Sequence, residues 1–372
     1  MLRSSIHIGT VFGIPIGINY SWIIIFALVT LSLSGSRFPS LYPEWPEWQY
    51  WALGVAASLL FFISVLIHEL AHSVVSTAQG VPVKSITLFI FGGVSNISAE
   101  PKKAIDEFLM AAAGPASSLI LAFLFWTFSL VTVLFFPPLA ALGRWLAGIN
   151  FTLAIFNLIP GFPLDGGRVF RSIVWGLTGN VSTATRVAAI LGQVVAYLFI
   201  FVGIFMVIRG NLDGLWLALI GWFLESAASQ SYRQVALRDA LRGVKAGDLV
   251  SRDCAYVPDN LSVEQFVHDY VLPQSRRCFL ITNQGNLSGL ATIHNIRAVH
   301  KSEWDHTSLK DVMTPVDQVK RVQITDDAVS VLELMDQEDV NQVPVMDGNQ
   351  LVGMIGRDAM LRFIRTRAEL GM

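Results

Sequence analysis

The sequence predicts a polytopic α-helical membrane protein, with about six transmembrane helices and a short membrane-associated β hairpin, followed by a soluble α/β part. The division is clearest in the charged residues. Residues 1–230 contain 19 Asp, Glu, Lys and Arg residues and residues 231–372 contain 35, so the charged fraction rises from about 8% to about 25%. Apolar runs fill the first part, and the second part contains an internal repeat. We therefore treat residues 1–230 as membrane-embedded and the rest as soluble.

Six apolar stretches in the first part are long enough to cross a hydrocarbon core of about 30 Å, which takes roughly 20 helical residues. They lie near residues 14–34, 51–77, 105–136, 139–160, 186–208 and 212–229. Residues 82–98 alternate and are rich in β-branched and aromatic residues before a Gly-Gly turn, which predicts the hairpin. Residues 157–167 (NLIPGFPLDGG) contain too much Pro and Gly to continue a helix. Because irregular backbone is not tolerated against lipid, this segment must be buried or line a cavity.

Basic residues predict the orientation of the membrane part. With a cytosolic N-terminus, ten basic residues lie inside and only Arg37, Arg144 and Arg209 lie outside. The ten are Arg3, Lys84, Lys102, Lys103, Arg168, Arg171, Arg186, Arg233, Arg238 and Arg242. We therefore expect a multi-pass protein with both termini in the cytosol.

Charge and cysteine content exclude some classes of protein. The net charge is +1 for residues 1–230 and −3 for residues 231–372, so neither part has the basic surface of a nucleic-acid-binding protein. Cys254 and Cys278 are the only cysteines, which excludes a disulfide framework and a CxxC zinc knuckle.

The apolar stretch 51–77 contains the motif His68-Glu69-Leu70-Ala71-His72. On a helix, residues i and i+4 lie on one face, so both imidazoles can reach one metal ion while Glu69 flanks it. A pair of hydrogen-bonded core histidines is the alternative, but two His and a Glu inside an apolar span are costly without a function. Two histidines and a carboxylate with an open water position are typical of zinc.

A third ligand is required, and acidic residues are scarce in the apolar stretches. Asp165 follows the Pro-broken helix, where the backbone can bend to point a carboxylate inward. Glu225 is the competing candidate, although its position near the end of the last stretch favours a solvated or helix-end residue. Asp106 and Glu107 begin the third stretch and are typical of first-turn acids favoured by the helix dipole.

These motifs together resemble the site-2 protease family of intramembrane zinc metalloproteases. HELAH and NLIPGFPLDGG carry the resemblance, with support from Gly13-Ile-Pro-Ile, Phe91-Gly-Gly-Val and Ala113-Gly-Pro115. The resemblance implies one zinc ion per chain held by His68, His72 and Asp165, with Glu69 as the general base. It also implies that Asn157 binds the substrate backbone or a developing oxyanion, and capping of the span is the alternative for this residue.

Residues 246–372 contain a repeat of about 64 residues, in which each copy follows a β-α-β-β-α pattern. This part resembles a tandem pair of cystathionine-β-synthase (CBS) domains, chiefly in Asp311-Val-Met-Thr-Pro and the paired glycine strands. We expect a protease domain at 1–230, a linker at 231–245, and CBS repeats at 246–304 and 305–372.

The resemblance implies that the CBS pair binds an adenosine nucleotide through a hydroxyl residue and an acid. Thr292 fits the hydroxyl position, but Asn295 stands where the acid is expected, and Gly356 and Ala359 replace both residues in the second copy. A nucleotide sensor and a dimerising or gating module without ligand are therefore both open.

The leading functional hypothesis is an intramembrane zinc endopeptidase that cleaves single-span membrane proteins in the lipid bilayer, with the CBS pair as a regulatory or homodimerising module. Residues 86–94 would offer a strand edge that captures the unwound substrate. The alternative is a metal ion transporter or channel with a regulatory CBS pair. Transport calls for paired repeats with sites in both halves, and the sequence contains no second His-rich span.

Overall fold

The chain forms two compact units, Met1–Val235 and Ala236–Met372. They were analysed in a computed structural model that describes residues 5–90, 92–97, 101–251, 255–274, 278–283, 286–338, 340–348 and 350–369. Residues 231–240, predicted as part of a linker, are the last turns of a helix that spans Asp213–Ala240.

Four strands of the first unit form one sheet. They are β1 (Ser5–Val11), β2 (Ile14–Asn19), β3 (Val83–Phe89) and β4 (Gly92–Ile97), in the order β1-β2-β3-β4. β1 and β2 pair antiparallel, as do β3 and β4, whereas β2 and β3 pair parallel. The antiparallel pair within residues 82–98 is thus half of a larger sheet. Among the described residues, β4 pairs on one side only, so it presents a free edge.

The first apolar span begins later than predicted. Residues 14–19 were assigned to a helix on hydropathy, but they form β2, in which Ile14 and Ile16 are buried at 4% and 2% exposure. Isoleucine alternates there with Pro and Gly, and this period of two suits a strand with one buried face.

Eight helices are described in the first unit. They are α1 (Ser21–Ser32), α2 (Phe38–Leu41), α3 (Glu47–Ala78), α4 (Ala104–Thr132), α5 (Pro137–Asn157), α6 (Asp165–Thr178), α7 (Val181–Ile208) and α8 (Asp213–Ala240). A π-helical turn at Leu33–Arg37 joins α1 to α2. Five of the described segments are long and apolar enough to cross a membrane, namely Ser21–Leu41, α3, α4, α5 and α7. The predicted sixth span lies in α8, which is not among these five and contains Asp213 and Glu225.

Small residues bring the long helices close together. Ala57 on α3 and Ala154 on α5 are fully buried, and a Cβ added at Gly143 of α5 would lie 3.0 Å from the Phe125 carbonyl of α4. Small residues of this kind let the backbones of membrane helices approach closely and pack by van der Waals contact.

The Pro- and Gly-rich segment ends α5 and starts α6, as predicted. α5 ends at Asn157, α6 begins at Asp165, and Phe162 N donates to the Ala188 carbonyl of α7 at 3.2 Å. A Cβ at Gly161 would lie 2.6 Å from Gly192 Cα of α7. The segment is therefore packed against protein, and this contact fixes where α6 begins.

The second unit contains two similar halves. In the first half β5 (Tyr256–Pro258), β6 (Cys278–Asn283), β7 (Asn286–Thr292) and β8 (Thr314–Pro315) form a sheet in that order. In the second half the order is β11 (Gln350–Gly356), β10 (Gln342–Asp347) and β9 (Val322–Gln323). The described helices are α9 (Ala246–Leu249), α10 (Val263–Phe266), α11 (Leu272–Gln274), α12 (Ile293–Arg297), α13 (Leu309–Val312), α14 (Ala328–Gln337) and α15 (Arg357–Glu369).

The paired glycines have the same structural reason in both halves. Gly289 pairs with Ile281 and Gly353 with Val345, and each pairing precedes a register shift. A Cβ at Gly289 would overlap the Thr314 carbonyl oxygen, and a Cβ at Gly353 would overlap that of Ser251. Each glycine thus lets a neighbouring backbone approach its strand.

Candidate metal centre

Three side chains converge in the first unit. His68 Nε2 and His72 Nε2 each lie 3.1 Å from Asp165 Oδ2, and the two nitrogens lie 3.3 Å apart. Both histidines are buried, at 4% and 8% exposure. This is the one group of three metal-ligating side chains found among the described residues.

The spacing of the three atoms fits a metal ion. Two ligands at about 2.0–2.1 Å from a tetrahedral ion are about 3.3–3.4 Å apart, and the observed separations of 3.1–3.3 Å are close to that value. Two imidazoles and one carboxylate leave a fourth position for water or substrate, as in catalytic zinc sites. His68, His72 and Asp165 therefore form a donor set that could hold zinc.

The second nitrogen of each imidazole is bonded to α4. His72 Nδ1 lies 2.7 Å from the Met110 carbonyl oxygen, which can only accept, so Nδ1 carries the proton. His68 Nδ1 lies 2.9 Å from Ser118 Oγ. These bonds orient both rings and leave Nε2 free to bind a metal.

Gly114 of α4 makes room for the two rings. A Cβ at this position would overlap His72 Nε2 and would lie 2.6 Å from His68 Nε2. Only glycine therefore allows α4 to lie against the metal-ligating atoms.

Glu69 points towards the sheet. Its Oε2 accepts a hydrogen bond from Ser95 Oγ of β4 at 2.7 Å, and Ser73 Oγ lies 3.3 Å from Ser95 Oγ. A Cβ at Gly93 would overlap the Glu69 side chain. Glu69 is half-buried, so β4 holds a carboxylate that solvent can reach beside the three converging side chains.

The other acidic candidates lie elsewhere. Glu225 Oε1 accepts from Ser229 Oγ at 2.6 Å, and Ser229 Oγ accepts from Gln193 of α7. Glu107 does lie in the first turn of α4, but it is fully buried and paired with Arg171. The first-turn position predicted for Glu107 is thus confirmed, and its pairing with the buried Arg171 is a contact that the sequence did not predict.

Asn157 Nδ2 donates to the Leu153 carbonyl of its own helix at 3.1 Å. The substrate-binding role of Asn157 and the helix-capping alternative both stay predictions.

Sequence reasoning missed the supporting residues of the site. Met110, Gly114 and Ser118 recur every four residues and so occupy one face of α4. The sequence does not reveal this four-residue period, because α4 is apolar on most sides. Gly114 alone drew attention, as part of the Ala113-Gly-Pro115 motif that supports the family resemblance.

Known proteins match both parts of the chain. Residues 56–141 and 138–202 match peptidase family M50, and residues 309–366 match the CBS domain. The protein sll0528 of Synechocystis, provisionally named a zinc metalloprotease, is 35% identical over 373 residues, which cover 99% of this chain and 97% of that protein. Rip3 of Mycobacterium tuberculosis, provisionally named in the same way, is 32% identical over 368 residues. These residues cover 98% of this chain and 93% of Rip3.

The chain belongs to peptidase family M50, the site-2 protease family of zinc metalloproteases. A solved site-2 protease from Methanocaldococcus jannaschii is 30% identical and covers 62% of this chain and 95% of its own, with a TM-score of 0.44. Membership of this family, with five apolar helices, makes the protein an integral membrane protein. The comparisons give no support to the metal transporter alternative.

In this family M50 protein, Thr292 and Asn295, and Asp358, which stands one residue before the acid position of the second copy, all have local partners. Thr292 caps α12, and Asn295 bonds back to Thr292 and donates to the Val312 carbonyl at 2.9 Å. In the second copy Asp358 pairs with Arg362 at 2.6 Å. A cavity of about 210 Å³ lies between the two halves, and Arg321 is the one charged residue among the described residues that line it. Small-molecule sites usually occupy about 300–1,000 Å³, so this cavity is small for a nucleotide.

Proposed function

We propose that the protein is an intramembrane endopeptidase that hydrolyses a peptide bond within or near a transmembrane segment of a membrane-protein substrate. The observation that carries the proposal is the convergence of His68, His72 and Asp165 within 3.3 Å of one another, with Glu69 beside them on the same apolar helix. A buried three-ligand site with an adjacent carboxylate suits hydrolysis assisted by a metal ion.

In the proposed reaction, the three ligand residues bind the metal ion and Glu69 transfers the proton. His68 Nε2, His72 Nε2 and Asp165 Oδ2 would hold zinc, which when bound would acidify water and polarise a carbonyl group. Glu69 accepts the proton of the attacking water and then donates it to the departing amine. Ser95 fixes the Glu69 carboxylate through the 2.7 Å hydrogen bond from β4.

Substrate entry requires an extended chain, because a transmembrane helix hides its carbonyls in its own hydrogen bonds. The sequence placed the capturing edge at residues 86–94, but β3 is paired on both sides, with β2 and with β4. β1 and β4 are the two edge strands among the described residues, and of these it is β4 that contacts Glu69. We propose that the unwound substrate adds as a strand to β4, next to the catalytic base.

Two features of the sequence support a cytosolic location and a regulatory role for the CBS pair. The distribution of basic residues favours cytosolic termini, and a CBS domain match covers residues 309–366. We propose that the CBS pair regulates or dimerises the protease and does so without an adenosine nucleotide, since Thr292, Asn295 and Asp358 are engaged locally.

Replacement of Glu69 by Gln tests the proposed activity. The full-length wild type and Glu69→Gln are purified in detergent, analysed for zinc, and incubated with a library of single-span membrane proteins. We expect both proteins to bind one zinc ion per chain, and cleavage by the variant to fall at least about 100-fold because a general base is lost. Cleavage of the same substrate at the wild-type rate by Glu69→Gln would exclude this role for Glu69.

A further inference from the structure

A buried ion pair joins α6 to α4 outside the metal centre. Glu107 of α4 is fully buried, and its Oε1 accepts hydrogen bonds from Arg171 Nε at 2.6 Å and from Arg171 Nη2. Arg171, at 7% exposure, also donates to Thr185 Oγ1 of α7 at 3.4 Å. Its guanidinium carbon lies 5.3 Å from the centre of the Phe162 ring, in the segment before α6. Arg171 therefore ties α6 to α4, to α7 and to its own leading segment.

Both members of the pair are connected to the metal ligands through short, rigid elements. Arg171 lies six residues after Asp165 on the same helix. Glu107 lies three residues before Met110, on the face of α4 that also carries Gly114 and Ser118. This face contacts His72 and His68 directly and contacts the helix of Asp165 through Arg171.

Stability alone does not account for a charged pair at this place. Burial removes both ions from water at a cost that apolar residues of similar volume would avoid. In addition, Glu107 Oε2 is buried and makes no hydrogen bond within the described structure, so the pair recovers only part of that cost. An ion pair does, however, fix direction, because the guanidinium plane can meet the carboxylate and Thr185 in few orientations.

We infer that Glu107 and Arg171 are positioning residues that set Asp165 Oδ2 at ligand distance from His68 and His72. Neither residue touches the three converging atoms, and they act by fixing the rotation and height of α6 against α4. This inference rests on the proposed metal centre.

Cobalt binding to the full-length protein tests the inference, because Co²⁺ reports both affinity and ligand geometry. The apo wild type and the double variant Glu107→Gln/Arg171→Met are titrated with Co²⁺ against a chelator, and the visible absorption bands are recorded. The double variant removes both charges of the buried pair. Arg168, whose Nε also lies 3.7 Å from Glu107 Oε1, has a side chain that is 28% exposed, so its charge stays in reach of solvent in the variant. We expect about tenfold weaker Co²⁺ binding and visible absorption bands that differ in position and intensity from those of the wild type, because Asp165 Oδ2 is displaced from ligand distance.

The control is Gln193→Leu, which removes a hydrogen bond between α7 and α8 without touching α6. Its Co²⁺ affinity and absorption bands should match those of the wild type. A folded double variant with wild-type affinity and bands would overturn the inference, whereas a wild type that binds no Co²⁺ would overturn the proposed metal centre itself.

Arg171→Lys decides the question if the double variant does not fold. Lysine keeps the charge but cannot present the planar fork that reaches Glu107 and Thr185 together. We expect its Co²⁺ affinity to fall at least about threefold. This loss is smaller than the roughly tenfold loss expected for the double variant, because lysine keeps the charge but not the fork geometry. Wild-type affinity in Arg171→Lys would overturn the inference.

Discussion

The metal centre depends on residues without reactive groups as much as on its ligands. Gly114 allows the two imidazoles to lie against α4, and the Met110 carbonyl and Ser118 hydroxyl fix the ring orientations. HELAH predicted the two histidines because a spacing of four residues defines one helix face. Met110, Gly114 and Ser118 could not be predicted, because a tertiary contact between α3 and α4 decides their role.

Gly114→Ala tests this requirement for space. The added methyl group would overlap the Nε2 atoms of both histidines, so the rings must move away from Asp165. We expect zinc affinity to fall about tenfold or more, measured by metal analysis and chelator competition. Gly148→Ala on α5 is the matched control, because a Cβ there has no neighbour within 4 Å, and its zinc affinity should be unchanged. Equal zinc affinity in both variants would show that Gly114 is not needed for metal binding.

At the scale of elements, the sequence predicted the broken helix but not the full sheet. Pro160, Gly161 and Pro163 end α5 and let α6 start at Asp165, and this local chemistry is readable from the sequence. The sheet is different because 63 residues lie between the end of β2 and the start of β3. Hydropathy placed residues 14–19 in a helix, although the alternation of Ile14, Ile16 and Ile18 with other residues favours a strand.

Disulfide crosslinking tests the role of β4 as the substrate-binding edge. A single cysteine replaces Val94 of β4 in a Glu69→Gln variant that lacks Cys254 and Cys278, and cysteines are placed along a cleaved substrate. We expect crosslinks at alternate substrate residues, since side chains of a strand alternate in direction. A cysteine at Val133, which has similar exposure of 41% against 39%, should not crosslink. Crosslinks of equal yield at Val94 and Val133 would contradict strand addition at β4.

At the scale of the whole molecule, the chain combines a membrane protease unit with a second unit of two similar halves. Charge density, the apolar runs and the internal repeat together predicted two parts, because an apolar membrane part and a solvated part need different surfaces. The ligand of the second unit could not be predicted in the same way. Ligand binding by this unit depends on whether side chains such as Thr292 and Asn295 can bind a ligand or already form hydrogen bonds with neighbouring residues.

Calorimetric titration of the full-length protein with ATP, ADP and AMP tests the proposal that the second unit acts without nucleotide. We expect no saturable heat, because Thr292 and Asn295 bond to each other and the cavity is only about 210 Å³. A saturable signal with any of the three nucleotides, lost on Arg321→Ala, would show that the unit is a nucleotide sensor.

Zinc content measured together with cleavage tests most directly whether α3 and α6 assemble the metal centre. Asp165→Ala and Glu225→Ala each remove one half-buried carboxylate from the first unit, but only Asp165 lies 3.1 Å from both histidines. We predict one zinc ion per chain and full cleavage in Glu225→Ala, and loss of both in Asp165→Ala. Retention of zinc and cleavage by Asp165→Ala, or their loss in Glu225→Ala alone, would contradict the proposed centre.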